Sequence, residues 1–240
     1  MAVREPRREW EVVVRAGPAA TLHGASPTPA HRQLRRCRAR GMAVVLGSGQ
    51  PATDVDPGRV AALGATVVRR RSGGGAVLVV PSEVVWMEAW LPAGDPLWTD
   101  DVARASWWLG EAWVDALRSL GFGGGSVHRG GLERSPWGRL LCFAAVGPGE
   151  VCLGSRKVIG IAQRRSREGA LFQSAASLLL RAEELAGVLA LPAGLRQAGG
   201  EALRRRAGSL AAPGGGDERA FPDPVAVEDA LVTAVLKGTT

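Results

Sequence analysis

One segment of the chain combines three arginines with three consecutive glycines. It connects two predicted strands and consists of Arg69, Arg70, Arg71, Ser72, Gly73, Gly74, Gly75 and Ala76. Consecutive glycines let the backbone turn tightly and bring N–H groups close to a ligand, while the arginines supply charge for a carboxylate or a phosphate. A flexible hairpin tip with solvated arginines explains the same residues, so the loop alone leaves both interpretations open.

The use of lysine is unusual in this sequence. Of the 30 basic residues only Lys157 and Lys237 are lysines, so arginine is used wherever a generic positive charge suffices. We therefore expect that a lysine in the interior of the sequence has a role that arginine cannot fill. We expect Lys157 either to direct its charge into a pocket, onto a carboxylate or phosphate, or to extend along the strand end to water.

The strand predicted at Arg156–Arg164 places this lysine among small and apolar neighbours. Strict alternation of side chains puts on one face Lys157, Ile159, Ile161 and Gln163. Gly160 and Ala162 keep the opposite face small, so that another group can approach it closely.

Cysteine and histidine usage indicates no metal site and no disulfide framework. Cys37, Cys142 and Cys152 are odd in number and irregularly spaced, and the three histidines lie far apart. A reducing cytoplasm is therefore the expected location. The apolar runs are much shorter than the roughly 20 residues that a membrane helix needs, so no membrane span is expected.

The net charge of +7 suggests either nucleic acid or an acidic partner protein. The arginine-rich composition explains part of this charge, and no basic motif interleaved with aromatic residues is present. Nucleic-acid binding is therefore the least favoured of the functions considered.

Three motifs occur in a fixed order over roughly residues 42–175. They are the loop Arg69–Val77, the upstream segment Val44–Gln50 and the strand segment Gly154–Arg165. Together they resemble the lipoate–protein ligase and octanoyltransferase family of the biotin/lipoate protein ligase catalytic-domain superfamily. The resemblance implies an α+β fold, with a mixed or antiparallel β-sheet backed by helices.

The resemblance also implies two chemistries, with the ligase as the leading expectation and the transferase as the alternative. In the ligase chemistry, ATP with Mg activates lipoate or octanoate as an acyl-adenylate, Lys157 polarises the carboxyl group, and the glycine loop cradles the adenylate. In the transferase chemistry, which needs no cofactor, a cysteine takes the acyl group from octanoyl-acyl carrier protein. The resemblance places that cysteine at Cys142, which also fits a small buried core residue.

Further positions and partners follow from the same resemblance. The residues matched to substrate- or adenylate-binding positions are Arg69, Arg70, Ser72, Gly73, Gly74, Gly75, Ala76, Gly160, Ala162 and Gln163. The expected acceptors are lipoyl domains of 2-oxoacid dehydrogenase complexes or the glycine-cleavage H protein.

The chain also departs from the family pattern. Leu78–Pro81 replaces a His-Asp-like pair, Leu171–Ala175 replaces a His-Gly pair, and Gly149-Glu150 stands where ligases often have Asn-Asp. These departures leave room for a third hypothesis, a non-catalytic relative that binds an acyl group or an adenylate.

The elements that must position these residues can be predicted from local patterns. Helices are predicted at Ala30–Arg40, Pro57–Ala62, Thr99–Leu120, Leu178–Leu191, Glu201–Leu210 and Val225–Leu236. Strands are predicted at Trp10–Val14, Ala43–Leu46, Thr66–Arg70, Ala76–Val80, Val84–Leu91, Leu140–Ala145, Glu150–Leu153 and Arg156–Arg164. Residues 1–175 would form the acyl-transferring catalytic core, and residues 176–240 C-terminal helices packed on it or a reduced accessory region.

Overall fold

The chain folds around two β-sheets, described by a computed structural model for residues 9–24, 28–210 and 221–239. The strands are β1 (Trp10–Gly17), β2 (Arg32–Ala39), β3 (Met42–Leu46), β4 (Ala65–Arg69), β5 (Val77–Val79), β6 (Val84–Pro92), β7 (Gly125–Val127), β8 (Val151–Leu153), β9 (Arg156–Arg165) and β10 (Gly169–Ser177). The larger sheet has the order β1-β2-β6-β10-β9-β8-β7, and the smaller has the order β4-β3-β5. Both sheets mix parallel and antiparallel neighbours.

Helices cover both sheets. They are α1 (Ala19–Gly24), α2 (Pro57–Ala62), α3 (Trp107–Ser119), α4 (Ala182–Gly187), α5 (Ala193–Arg206) and α6 (Pro224–Gly238). One apolar core joins the larger sheet to α3 and α6, and it contains the fully buried Trp113 and Leu231. A second core joins the smaller sheet to α4 and α5 through Leu185 and Leu203. This is the expected α+β architecture, a mixed sheet backed by helices.

The prediction of a basic helix at Ala30–Arg40 is wrong, because this segment contains β2. β2 lies between β1 and β6 and brings two arginines into the protein interior. Arg32 binds both carboxylate oxygens of Asp95 at 2.8 and 3.0 Å, and Arg35 lies 3.5 Å from Glu88 on the neighbouring strand. Carboxylates from other parts of the chain thus compensate the buried arginines of this strand. Local helix propensity contains no information about such partners, which is why the segment was predicted as a helix.

Two further predictions are wrong in the region that follows α3. Leu140–Ala145 is not a strand, because Cys142–Ala144 forms a 3-10 turn after a single bridge between Ala76 and Leu141. The helix predicted at Leu178–Leu191 is shorter and forms α4, and it is preceded by β10, a strand that was not predicted and that pairs with β6 and with β9. A central strand buried on both faces lacks the alternation that distinguishes a strand from a buried helix.

Several local predictions are confirmed. The Asp56 side chain accepts a hydrogen bond from the Arg59 amide at 3.0 Å and caps α2, which begins at Pro57. A two-residue turn joins β8 to β9. The long helix predicted at Thr99–Leu120 is shorter and begins at Trp107. The linker predicted at Ala212–Asp217 lies outside the described residues.

The C-terminal helices pack on the same two cores as the sheets, α4 and α5 on one and α6 on the other. The boundary predicted after residue 175 falls inside β10, and the division into two parts stays a prediction. Val227, Leu231 and Val235 of α6 are fully buried in the core that contains α3. Within the described ranges, no helix has the length and apolarity required to cross a membrane.

Shortening a buried α6 side chain should destabilise the whole chain. Leu231→Ala is expected to lower the free energy of unfolding by about 2–5 kcal/mol, because it leaves a cavity against α3. Urea unfolding followed by tryptophan fluorescence and far-UV circular dichroism measures the change. Leu236→Ala, at a side chain that is 38% exposed, is the control and should change stability by less than about 0.5 kcal/mol. Separate unfolding of α6, or equal effects of the two variants, would contradict this packing.

Candidate active site

A cavity of about 1030 Å³ lies between the two sheets. Its smaller-sheet wall includes Val45, Val77 and Val79, and its larger-sheet wall includes Gly160, Ala162 and Ala175. Small side chains on the larger sheet leave room for a ligand, and valines on the opposite sheet make the inner part apolar. The cavity therefore suits a chain-like apolar group that enters beside the glycine loop.

Arg69 and Arg70 hold the loops at the entrance of this cavity. Arg70 is only 6% exposed, and its guanidinium donates to the carbonyls of Val45 at 3.2 Å, Gly73 at 2.6 Å and Gly75 at 2.9 Å. Arg69 donates to backbone carbonyls of residues 47, 48 and 50. The interpretation of this segment as a hairpin tip with solvated arginines is therefore wrong for Arg70.

Two glycines are required by close backbone approach. A Cβ added to Gly47 would lie 1.8 Å from the carbonyl oxygen of Gly74, and one added to Gly75 would lie 2.6 Å from the Leu141 amide nitrogen. Gly74 also has a φ of 97°. The triple glycine thus lets three backbone segments meet at the cavity entrance.

The Lys157 ammonium is buried beneath these loops. Its Nζ lies 2.7 Å from Glu150 Oε2 and donates to the carbonyls of Ala145 at 3.0 Å and Cys142 at 3.2 Å. These three acceptors match the three N–H donors of an ammonium. Burial alone would lower the pKa of Lys157, but Glu150 and Cys142 outweigh it and raise this pKa above its ordinary value. The lysine is therefore a fixed cation.

A β-bulge in β9 turns the Lys157 side chain toward the cavity. Because the bulge interrupts the alternation of side chains, the prediction of strict alternation along this strand is wrong. The pairing of β8 with β9 shifts register, because Val151 pairs with Ile159 while Cys152 pairs with Lys157. Ile159 points into the helix-covered core, whereas a Cβ on Gly160 would lie 3.5 Å from Lys157 Cε. The lysine and the glycine therefore share the cavity side.

Glu150 is a site residue that the sequence analysis noted only as a departure from the family pattern. Its Oε2 also accepts from the Gly147 amide at 2.6 Å, and its Oε1 accepts from the Ile161 amide at 3.2 Å. Backbone donors and Lys157 together stabilise this buried carboxylate. The available signal was an acidic residue just before the short apolar strand that pairs with the strand of the single internal lysine.

Cys142 lines the cavity at the start of the 3-10 turn. Its amide donates to the Ala76 carbonyl at 3.0 Å, and its Sγ lies 3.9 Å from the Arg70 guanidinium. The side chain is partly exposed to the cavity and also packs against the core of the smaller sheet, so both interpretations of this cysteine stay predictions. A thiol beside a guanidinium and within reach of a ligand is placed to act as a nucleophile.

The other two cysteines differ from Cys142. Neither lines the cavity. Burial raises the pKa of the Cys37 thiol, and burial followed by the charge of Glu150 raises the pKa of the Cys152 thiol. Both pKa shifts disfavour the thiolate.

A polar group on the cavity wall was missed by sequence reasoning. Gln173 accepts from Ser72 Oγ at 3.1 Å and donates to the buried Glu88 at 2.8 Å. His23 stacks on Trp86 at 4.2 Å, and burial, followed by the charge of Arg70, lowers the pKa of His23 to about 4. This histidine is therefore neutral near neutral pH. Gln173 belongs to the segment Leu171–Ala175, which replaces the family's His-Gly pair.

Most of the residues predicted from the sequence meet in this cavity. Its lining includes Cys142, Lys157, Arg70, Ser72, Gly73, Gly74, Gly75, Gly160, Ala162 and Gln163. Arg69 and Ala76 lie behind the lining and support it. Among the described residues, no cluster of three or more histidine, cysteine or acidic side chains could hold a metal ion.

The sequence of this chain matches the model of a known protein family. The model of the lipoyl protein ligase A/B catalytic domain matches residues 29–234. The chain belongs to this family. The resemblance drawn from the three motifs is thereby confirmed, and the protein is an enzyme of the lipoate ligase/octanoyltransferase type. A search of curated proteins found no match.

Solved structures of lipoate–protein ligases share the fold of this family member. A bipartite lipoate protein ligase from Thermoplasma acidophilum is 18% identical, with a TM-score of 0.71 over 96% of this chain and 83% of that one. A second structure from the same organism, with bound lipoic acid, has 19% identity and a TM-score of 0.69 over 96% and 86% of the two chains. A lipoate-protein ligase A bound with ATP has 18% identity and a TM-score of 0.70 over 96% and 85%.

The close packing at Gly47 predicts that an added side chain at this position lowers stability. Gly47→Ala should lower the free energy of unfolding by about 1–3 kcal/mol, because the new methyl group overlaps the Gly74 carbonyl. Gly49→Ala is the matched control, since nothing lies within 4 Å of its added Cβ. Denaturant unfolding measures both variants, and equal stabilities would show that the loops do not meet as described.

Proposed function

We propose that this enzyme transfers a medium-chain acyl group, such as octanoyl, to a lysine of a lipoyl-domain carrier through a thioester on Cys142. The observation that carries the proposal is the position of the Cys142 thiol in the cavity, 3.9 Å from the Arg70 guanidinium. The Lys157 ammonium holds the same turn, because it donates to the Cys142 carbonyl at 3.2 Å. A partly exposed thiol that lines the cavity can attack an acyl thioester bound there.

The transfer proceeds in two balanced steps. The Cys142 thiolate attacks the carbonyl carbon of an acyl thioester donor, a carbon–sulfur bond forms, and the donor leaves as a thiolate that takes up a proton. The carrier's lysine amine then attacks the enzyme thioester, forms the amide, and releases Cys142 as its thiol with the proton lost by the amine. Neither step consumes a nucleotide.

The cations of the site fit an adenylate less well. All three donors of Lys157 already have protein acceptors, and Arg70 and Arg69 donate to backbone carbonyls. Binding a phosphate with these groups would require breaking several of these contacts. Cradling of an adenylate by Arg69, Arg70 and the glycine loop therefore stays a prediction, as does the use of ATP with Mg.

Adenylate-forming ligation is the second candidate function. The observation that favours it is the shared fold with the lipoate-protein ligase A that was solved with bound ATP. In that reaction ATP would supply the activation, and this chain's residues would bind and orient the acyl group.

The proposed acceptor is a lipoyl domain, and the H protein of glycine cleavage is the alternative. The Thermoplasma acidophilum ligase was studied together with its E2 lipoyl domain, which supports this class of partner. Arg134 and Arg139 line the cavity mouth and would meet an acidic carrier there.

Intact-mass analysis distinguishes the two chemistries. The enzyme is incubated with a lipoyl domain and either an octanoyl thioester of acyl carrier protein without ATP, or octanoate with ATP. We expect acylation of the lipoyl domain without ATP and a hydroxylamine-labile acyl mass on the enzyme. Cys142→Ala should reduce this transfer by on the order of a thousandfold or more, whereas the control Cys152→Ala should retain it.

Each other result overturns the proposal in a different way. Acylation that needs ATP and persists in Cys142→Ala establishes the ligase. Absence of acylation under both conditions supports the third hypothesis, a non-catalytic relative that binds acyl groups or adenylates.

A further inference from the structure

A second, smaller cavity of about 40 Å³ lies next to the main one. The two cavities share Val77, Val84, Phe143 and Ala175 in their walls. These side chains come from the smaller sheet, the larger sheet and the turn that carries Cys142. The small cavity is therefore a continuation of the main one beyond an apolar partition.

The small cavity has mostly apolar walls and one cation that is already paired. Leu179 and Leu180 line it, and so does Arg181. The Arg181 guanidinium donates to both carboxylate oxygens of Glu83 at 2.5 Å and to Glu184 at 3.1 Å, so its charge is compensated. Apolar walls, with the one cation already paired to two carboxylates, favour the methyl end of a hydrocarbon chain over a chain that ends in a carboxylate.

We propose that Val77 and Val84 form a partition that sets the length of the acyl chain which this enzyme accepts. An acyl group attached at Cys142 passes Phe143, whose ring packs against Gly160, and its methyl end meets the two valines. Chains that reach the partition bury all their methylenes. Longer chains must displace it to enter the small cavity. The choice of acyl groups as ligands rests on the proposed function, but the position of the partition does not.

Val77 is the position at which the partition can be opened with least disturbance. It is half-buried on β5, and it makes no side-chain contact with Lys157 or Glu150 among those that hold the site together. Phe143 is unsuitable, because its ring lies 5.0 Å from Lys157 Nζ. Ala175 has almost no side chain to remove. Val79 is the matched control, since it lies on the same strand and lines only the main cavity.

The test is calorimetric binding of straight-chain alkanoates from hexanoate to tetradecanoate. In the wild-type protein, affinity should rise about fourfold for each added methylene and then stop rising at one chain length. Val77→Ala should move this break to longer chains. Val79→Ala should leave the break at the wild-type length. Circular dichroism confirms that each variant is folded.

The outcomes separate this inference from the proposed function. An affinity series without a break, or a break that Val77→Ala leaves in place, overturns the partition. A break that shifts in Val77→Ala but not in Val79→Ala supports the partition even if the transfer assay shows no acylation. If the enzyme transfers acyl groups but Val77→Ala leaves the break at the wild-type chain length, the proposed function stands and the partition is refuted.

Discussion

The buried ion pair between Lys157 and Glu150 is the interaction on which the site depends. The ammonium binds two carbonyls of the Cys142 turn, and the carboxylate binds amides at Gly147 and in β9. Removing one partner of such a pair leaves an uncompensated buried charge, which typically costs about 3–5 kcal/mol. The pair therefore joins the Cys142 turn, the loop at Gly147 and β9, and it fixes the backbone of the residue that carries the thiol.

Arginines elsewhere around the cavity are also held by acceptors of the protein itself. Arg70 and Arg69 bind carbonyls of the loops around the glycines, while Arg35 reaches Glu88, which binds Gln173 on the cavity wall. These cations have acceptors supplied by the protein itself. The cavity is left with apolar walls from both sheets, the Cys142 thiol, and polar side chains such as Ser72 and Gln173.

The sequence predicted the residues of the site better than the elements that carry them. The glycine loop, Cys142 and Lys157 were identified from motifs, and they meet in one cavity. The bulge in β9, the strand at Arg32–Ala39 and the carboxylate of Glu150 were not predicted, because each depends on a partner from another part of the chain. Periodicity and propensity describe neighbours along the sequence, whereas these features arise from pairing across it.

The most direct test of this account is the titration of Lys157 by nitrogen-15 NMR with labelled lysine. Because Lys157 and Lys237 are the only lysines, the spectrum has two side-chain signals, and Lys237 serves as the internal reference. We expect Lys157 to stay protonated at pH values above the ordinary lysine pKa, because its pKa is raised in the folded protein. Its contribution to stability is therefore present at neutral pH and is lost only as the solution becomes strongly alkaline. Titration of Lys157 near neutral pH would contradict this account, because the lysine would then be a neutral base instead of the fixed cation beneath Cys142.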